Sequence, residues 1–390
     1  MPHNRASRAM FRYRSQAIFV VCAVAALFGA STRSGQFAGV THTLTGVDMY
    51  DFMNSEPFAG KRVGLITNQT GMDSQGYSTI HLFAGRKDVK LVALFSPEHG
   101  FSGEADAAVA DGWDAASGVP IYSLYGETRR PTDEMLKGID VLLFDVQDAG
   151  VRFYTYITTM AYCMEAAAKH HIRFVVFDRP NPLGGEVIEG PMLDADRTSF
   201  TGYFPMPVRY GMTLGELAEM FNAENKIGAD LDVFSMRNWH RSETYDQTGL
   251  PWIPPSPNLR TVEEAFLYPG IEILQAGGVS VGRGTDTPFE IVGAPWIRVD
   301  EFATELDGRK IPGVSFNAAE FTPRDGPYNG QACHGVTIRI TDRASLRSIL
   351  MSLEIADALH RMYPDHFAIE KIITLLGSQA TVDRLKRGDA

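Results

Sequence analysis

The sequence predicts an α/β fold in which a domain with a mostly parallel sheet is followed by a smaller α+β domain. Three apolar segments, beginning at residues 91, 141 and 174, indicate buried strands. Polar or turn-forming residues close each segment, and stretches with helical patterning lie between the segments. Strands that alternate with helices are typical of crossover connections, and therefore of parallel pairing.

The first domain is predicted to occupy residues 41–258. Its helices are expected at residues 47–53, 78–85, 155–171 and 213–225, with another starting near Thr132. Its strands are expected at residues 62–68, 120–124, 172–177 and 231–236, and in the segments that begin at residues 91 and 141.

The second domain is predicted to occupy residues 259–390. Three prolines between residues 254 and 257 interrupt the alternation of helices and strands, so the boundary is placed near Asn258. Beyond it, a glycine-rich stretch is followed by helices expected at residues 299–306 and 344–363 and by strands expected at residues 314–321 and 336–341.

The N-terminal segment differs from the rest in composition. Four arginines precede an uncharged apolar run at residues 17–30, a pattern typical of an export signal. Residues 1–30 are therefore predicted to be a signal peptide, with an uncleaved membrane anchor as the alternative. The protein is expected in the periplasm or outside the cell, and it would contact a membrane only if this segment were retained.

The remaining chain is acidic, with 32 basic against 47 acidic residues and a net charge of −15. An acidic exported protein is a poor candidate for binding nucleic acid. Cys163 and Cys333 are its two cysteines, so no disulfide framework is expected. The histidines lack metal-ligand spacing and no dinucleotide fingerprint is present, so no metal and no other cofactor are predicted. The oligomeric state is left open.

Polar residues follow the predicted strands at their carboxyl ends. They are Glu98, Asp145, Asp148, Asp178 and Asn181. Ligands of parallel sheets bind beyond the carboxyl ends of the strands, so these side chains are expected to contribute to one site.

Glu98 lies between Pro97 and His99 at the tip of a predicted buried strand. Partial burial there suits a carboxyl group to general acid catalysis. Two plainer interpretations are that Glu98 caps a turn and that it pairs with an arginine. His99 would orient Glu98, contact a substrate, or serve only the structure.

A second cluster surrounds the strand that begins at residue 141. Asp145, Gln147 and Asp148 are followed closely by Arg152 and Tyr154. Paired carboxylates, an arginine and aromatic rings suit a sugar-binding site, in which rings stack and acids hold hydroxyl groups. The alternative is that Asp148 pairs with Arg152 and the tyrosines pack in the core.

Ser280 lies in a Gly-x-Ser-x-Gly sequence at residues 278–282, which matches the nucleophile elbow of α/β-hydrolases. That elbow requires a helix directly after the serine, and residues 283–288 do not have helical patterning. A serine esterase is therefore the minor enzymatic alternative. The alternative outside enzymology is a sugar-binding module in which Asp148 and Glu98 only hold sugar hydroxyls.

Taken together, these motifs resemble the exo-β-N-acetylmuramidase family of glycoside hydrolases over residues 45–377. The segments that carry the resemblance are residues 96–100, 145–148, 152–156, 178–185, 255–259 and 280–286. The resemblance implies a Rossmann-like first domain, a smaller second domain and an active site in the cleft between them. It also implies release of N-acetylmuramic acid from the non-reducing ends of peptidoglycan fragments, which would be the saccharide partners.

The resemblance also suggests roles for the candidate residues. Glycoside hydrolysis usually needs an acid for the leaving oxygen and a second group that activates water or stabilises positive charge. Glu98 is the choice for the acid and Asp148 the weaker choice for the second group. The substrate's 2-acetamido group acting as nucleophile is the open alternative.

The lactyl carboxylate of muramic acid requires a guanidinium, for which Arg283 and Arg152 are the candidates and Arg209 a third. The remaining predicted substrate contacts are His99, Asp145, Gln147, Tyr154, Asp178, Asn181 and Asp286.

Overall fold

The computed structural model describes residues 41–52, 56–104 and 110–388. The predicted signal peptide or anchor at residues 1–30 lies outside these residues. Residues 42–390 form one compact unit. In the part of the chain that is described, no helix is long and apolar enough to span a lipid bilayer.

A seven-stranded sheet organises the first part of the chain. Its strands are β1 (Arg62–Thr67), β2 (Lys90–Ser96), β3 (Gly112–Asp114), β4 (Val119–Ser123), β5 (Val141–Asp145), β6 (Arg173–Phe177) and β7 (Leu231–Phe234). They lie in the order β3-β4-β2-β1-β5-β6-β7, and β3 is antiparallel to β4 whereas the other neighbours are parallel. The mostly parallel sheet is thus confirmed.

The order of the parallel strands explains where a ligand can bind. Leaving aside β3, the chain winds outward from β1 through β2 to β4, then returns to the other side of β1 and continues from β5 to β7. This is the doubly wound, Rossmann-like order, and its direction reverses between β1 and β5. The crevice beyond the carboxyl ends at this point is the usual ligand site of such sheets.

In the described part of the chain, α1 (Gly46–Phe52) precedes β1, and α2 (Thr79–Gly85), α3 (Tyr156–Lys169) and α4 (Leu214–Glu224) lie between strands of this sheet. The sheet is buried on both faces, as alternate side chains of β5 show. Leu142 and Phe144 pack into one apolar cluster, whereas Val141 and Leu143 pack into the other. Burial on both faces is why these strands are continuous apolar runs in the sequence.

The helix predicted near Thr132 does not form. Residues 133–138 are turns, and the segment ends at Gly138, whose φ is 81°. Helix nucleation fixes several residues for one hydrogen bond, so a segment of about one turn before such a glycine gains too few bonds to become a helix.

The second part of the chain contains a three-stranded antiparallel sheet. Its strands are β8 (Ile291–Ala294), β9 (Val314–Phe321) and β10 (Cys333–Ile340), in the order β8-β10-β9. The helices are α5 (Val262–Gln275), α6 (Val299–Gly308), α7 (Ser348–Met362), α8 (Ile373–Leu376) and α9 (Gln379–Arg387). The predicted α/β fold with a smaller α+β part is therefore confirmed, and the predicted boundary at Asn258 lies between β7 and α5.

Helix α5 was not predicted, because Pro269 and Gly270 lie in its middle and both disfavour helix. The structure gives the reason for Gly270. A Cβ there would lie 2.0 Å from the carbonyl oxygen of Ser348, so glycine allows α5 to approach the start of α7.

Candidate active site

The turn after β2 carries the predicted acid. The backbone N–H of Gly100 donates to the carbonyl of Pro97 at 3.1 Å, which closes the turn. His99 has a φ of 69°, in the left-handed region that non-glycine residues seldom adopt. Such conformations cluster at functional sites. The turn leaves the side chain of Glu98 partly exposed while His99 is buried.

Glu98 lines a cavity of about 320 Å³. This volume is near the lower end of the range for small-molecule pockets and suits about one sugar residue. The walls come from the segments around both sheets, so the cavity lies in the cleft between the two predicted domains. The lining residues are Glu98, His99, Phe153, Tyr154, Thr155, Thr201, Ser256, Tyr268, Glu272, Gln275, Arg283, Phe289, Asp325, Gly326 and Leu375.

A hydrogen-bond network fixes the wall that carries Glu98. The hydroxyl of Thr155 donates to Oε2 of Glu98. The hydroxyl of the adjacent Tyr156 donates a hydrogen bond of 2.7 Å to the carbonyl of Pro255. The same hydroxyl accepts a hydrogen bond of 3.0 Å from the side-chain amide of Asn68. Asn68 directly follows β1, so this network joins the switch point of the sheet to the acid.

Aromatic rings form much of the remaining wall. Tyr268 lies at ring-centroid distances of 5.4 Å from Phe153, 6.0 Å from Tyr154 and 4.9 Å from Phe289, and each pair meets edge to face. Rings of this kind offer apolar faces for a sugar and a polar edge for its hydroxyls.

The wall built by α5 carries a second carboxylate. Glu272 accepts a hydrogen bond of 2.9 Å from Nη2 of Arg283, and the Arg283 guanidinium lies 5.4 Å from the ring centroid of Phe289. Glu272 and Tyr268 were not predicted as site residues, because the helix that carries them was not predicted. The signal that could have found them is their spacing of four residues, which places both on one face of a helix.

Asp148 does not line the cavity. Its Oδ2 accepts hydrogen bonds from the hydroxyl of Tyr210 and from the backbone N–H of Gly150, the latter at 2.7 Å. Burial raises the pKa of Asp148 to about 6, although these two hydrogen bonds act to lower it. The carboxyl group is therefore part of a buried network behind the cavity wall.

Asp145 and Asp178 are also buried among protein partners. Asp145 pairs with Nε of Arg179 at 2.6 Å, and both side chains are almost fully enclosed. Asp178 accepts from the hydroxyl of Thr213 at 2.9 Å and from the N–H of Gly215 at 2.8 Å, which places it at the start of α4. Burial raises the pKa of Asp178 to about 6.

Gln147, Asn181 and Asp286 also lie outside the lining. Nε2 of Gln147 donates to the carbonyl of Pro180 at 2.9 Å, and Nδ2 of Asn181 donates to that of Met212 at 2.8 Å. Asp286 is exposed.

The three candidate arginines differ in their position relative to the cavity. Arg283 lines the cavity. The Arg152 guanidinium is fully buried and donates to the carbonyls of Pro191, Met206, Leu375 and Leu376 at 2.7 to 3.1 Å. Arg209 pairs with Glu189 at 2.8 Å away from the cavity lining. Of the three candidates, Arg283 is therefore the one in the cavity wall.

Ser280 does not form a nucleophile elbow. Its backbone pairs with Gly293 in an antiparallel bridge, through hydrogen bonds of 2.8 and 3.0 Å, and the residue is 1% exposed. The structure thus places Ser280 in extended chain instead of a strand-to-helix turn. Among the described residues, no three metal-ligating side chains come close enough to hold an ion.

A doubly wound sheet with an acid-lined cavity sized for one sugar is typical of a glycosidase, in which carboxyl groups act on the glycosidic bond. The chain belongs to the exo-β-N-acetylmuramidase NamZ family. The model of the family's N-terminal domain matches residues 63–263, and that of its C-terminal domain matches residues 266–390.

The similarity of the chain to individual proteins supports this family assignment. The peptidoglycan β-N-acetylmuramidase NamZ of Bacillus subtilis (strain 168) is 47% identical over 325 residues, which cover 83% of this chain and 78% of that protein. Two crystal structures of DUF1343 family proteins from Bacteroides fragilis NCTC 9343 are similar in fold. One has a TM-score of 0.83 and 38% identity, covering 90% of this chain and 93% of the other. The second has a TM-score of 0.70 and 31% identity, covering 89% and 92%.

Proposed function

We propose that the chain is an exo-acting glycoside hydrolase that releases N-acetylmuramic acid from the non-reducing ends of peptidoglycan fragments. Membership in the family supports this activity, and the similar protein of B. subtilis is named for the same reaction. The observation that carries the proposal is that Glu98 and Arg283 line one small cavity. An acid and a guanidinium are the two groups that a carboxylated sugar glycoside requires.

Glu98 is the proposed general acid. It would donate its proton to the glycosidic oxygen as the bond to the anomeric carbon breaks. Thr155 holds one carboxylate oxygen, so the group has a fixed direction. Asp148 fits the second role less well than the first prediction assumed, since its carboxyl group is held behind the cavity wall.

Arg283 is the proposed receptor for the lactyl carboxylate. A guanidinium is always charged and presents several donors, so it suits a carboxylate ligand. Its place next to Phe289 and near Tyr268 would set that carboxylate beside the aromatic wall on which the sugar packs.

The proposal extends to the location of the protein. The arginines and apolar run before residue 31 support export, and export would bring the protein to cell-wall fragments. The mature protein would then comprise a catalytic domain up to about Asn258 and a smaller domain that completes the cavity.

A direct assay tests this function. The para-nitrophenyl β-glycoside of N-acetylmuramic acid is incubated with the protein beside the corresponding N-acetylglucosaminide, and nitrophenol release is measured. We expect faster release from the muramic acid glycoside. Equal rates on both would contradict the specificity, and binding of muropeptides without product would favour the binding-module alternative.

A further inference from the structure

The cavity contains a carboxylate to which neither the sequence analysis nor the family resemblance gives a role. Glu272 is 8% exposed and lies on α5, one helical turn after Tyr268, with both residues in the cavity lining. Glu98 reaches the same cavity from the turn after β2. Asp325 also lines the cavity but is exposed, so Glu98 and Glu272 are the two less exposed acids that enter the site, and they come from different parts of the fold.

We propose that Glu272 is the second catalytic carboxylate, whose negative charge stabilises the positive charge that develops at the anomeric carbon. This inference rests on the proposed function. As the bond between the anomeric carbon and the leaving oxygen breaks, its electron pair stays on the oxygen, which takes the proton of Glu98. Water then supplies hydroxide to the carbon and a proton to Glu98, so both groups return to their starting states.

Asp148 competes with Glu272 for this role, and its surroundings favour Glu272. Asp148 is fully enclosed, accepts hydrogen bonds from Tyr210 and Gly150, and does not line the cavity. Glu272 does line it. Charge stabilisation falls with distance, so a carboxylate in the cavity wall outweighs one behind the wall.

Arg283 gives Glu272 the charge state that this role requires. Its Nη2 lies 2.9 Å from Oε1 of Glu272, and a nearby cation favours the ionised form of a carboxyl group. The Glu272 side chain is only 11% exposed, so solvent screens this pair weakly. Glu98, by contrast, has the neutral hydroxyl of Thr155 as its partner.

Tyr268 lines the cavity together with both carboxylates. Burial raises the pKa of its phenol well above the usual value, Glu272, Glu98 and Asp148 raise it further, and Arg283 lowers it. Of these three acids, Glu272 and Glu98 are the ones in the cavity wall. The sugar that packs on this ring would have one of them on the side of its leaving group and the other near its anomeric carbon.

Glu272→Gln tests the inference because it removes the charge and keeps the shape. The variant is assayed on the para-nitrophenyl muramic acid glycoside and on a muramic-acid-terminated disaccharide, with kcat and KM determined separately. Glu263→Gln is the matched control, because Glu263 lies on the same helix but is half exposed and pairs with Arg343 outside the cavity.

We expect Glu272→Gln to lower kcat at least about 100-fold on both substrates, measured at a temperature where circular dichroism shows the variant folded, since loss of the ion pair with Arg283 also lowers the melting temperature. Glu272→Asp, which keeps the charge, should recover part of this loss, and Glu263→Gln should behave like the wild type.

Near-normal kcat in Glu272→Gln, or a rise in KM alone, would overturn the inference, since the latter would show that Glu272 only orients Arg283. If the wild type released no muramic acid, the proposed function itself would fail, and the inference with it.

Discussion

Thr155 holds the carboxylate of Glu98 through a hydrogen bond from its hydroxyl to Oε2. The two residues are 57 positions apart in the chain, and Thr155 is the residue that immediately precedes α3. The acid is thus fixed at one end by the turn after β2 and at the other by the start of a helix. Fixed direction is what a proton donor needs, because proton transfer requires a short and aligned contact.

Glu98→Gln removes the proposed proton donor but keeps its hydrogen-bonding shape. We expect turnover of a muramic-acid-terminated disaccharide to fall about 10²- to 10⁴-fold, with thermal unfolding unchanged. The loss should be smaller on the para-nitrophenyl glycoside, since nitrophenolate leaves without protonation. A loss that is equal on both substrates would argue against Glu98 as the acid.

Arg283→Gln removes the guanidinium that faces the cavity. Charged hydrogen bonds contribute roughly 1.5–3 kcal/mol, so kcat/KM for the muramic acid glycoside should fall about 10- to 100-fold. Because Arg283 also pairs with Glu272, kcat/KM for the glucosaminide should fall as well, but by less, since the glucosaminide lacks the lactyl carboxylate. Arg209→Lys is the control, since Arg209 pairs with Glu189 away from the cavity lining. An equal loss on both glycosides would show that Arg283 does not read the lactyl group.

Asp148→Asn should change the pH dependence of stability. The pKa of this carboxyl group is about 6 in the folded protein against 3.8 as the ordinary value. Between these values the folded state binds more protons than the unfolded state, so wild-type stability falls as pH rises through this window. Asparagine does not titrate, so the variant lacks this loss. Relative to the wild type, its free energy of unfolding should rise by up to about 3 kcal/mol from pH 4 to pH 7.

Urea unfolding of both proteins at several pH values measures this gain. Asp178, whose pKa is also raised to about 6, is present in both proteins and cancels in the comparison. A difference in stability that did not change with pH would contradict the prediction. We further expect Asp148→Asn to keep its kcat within about tenfold of the wild type, since the group does not touch the cavity.

Arg152→Gln should destabilise the fold. Four backbone carbonyls lose their donor, and unsatisfied buried groups cost about 1–3 kcal/mol each, so a loss of at least about 3 kcal/mol is expected. Gly377→Ala should also destabilise the fold without changing a charge, because its φ is 73° and its Cβ would lie 2.6 Å from both Nη2 of Arg152 and Cδ1 of Leu193. Arg298→Gln is the control, since Arg298 forms an exposed ion pair with Glu301 and should change stability little.

Much of the first sheet could be predicted because its strands are buried on both faces and therefore form unbroken apolar runs. Helix α5 could not, since the approach of α7, some 80 residues away in sequence, is the reason for Gly270 in the middle of the helix. No local pattern contains that information.

Part of the candidate site could be predicted from the sequence. Glu98, His99, Tyr154 and Arg283 line the cavity. Asp145 and Asp178 lie at the ends of their strands as expected. However, the Asp145 carboxylate pairs with Arg179, and that of Asp178 accepts a hydrogen bond from Thr213. Sequence alone does not show whether a buried acid has an internal partner, so it does not distinguish a ligand from a structural ion pair.

The four carbonyl contacts of Arg152 determine how the cavity wall responds to salt and acid. Leu375 lines the cavity, and its carbonyl accepts a hydrogen bond from Arg152, which follows β5 of the first sheet. The acceptors of this cation are neutral oxygens. Carbonyl groups neither titrate nor exchange their partner for a dissolved anion. Salt and mild acid weaken surface ion pairs, but they should leave this wall of the cavity in place.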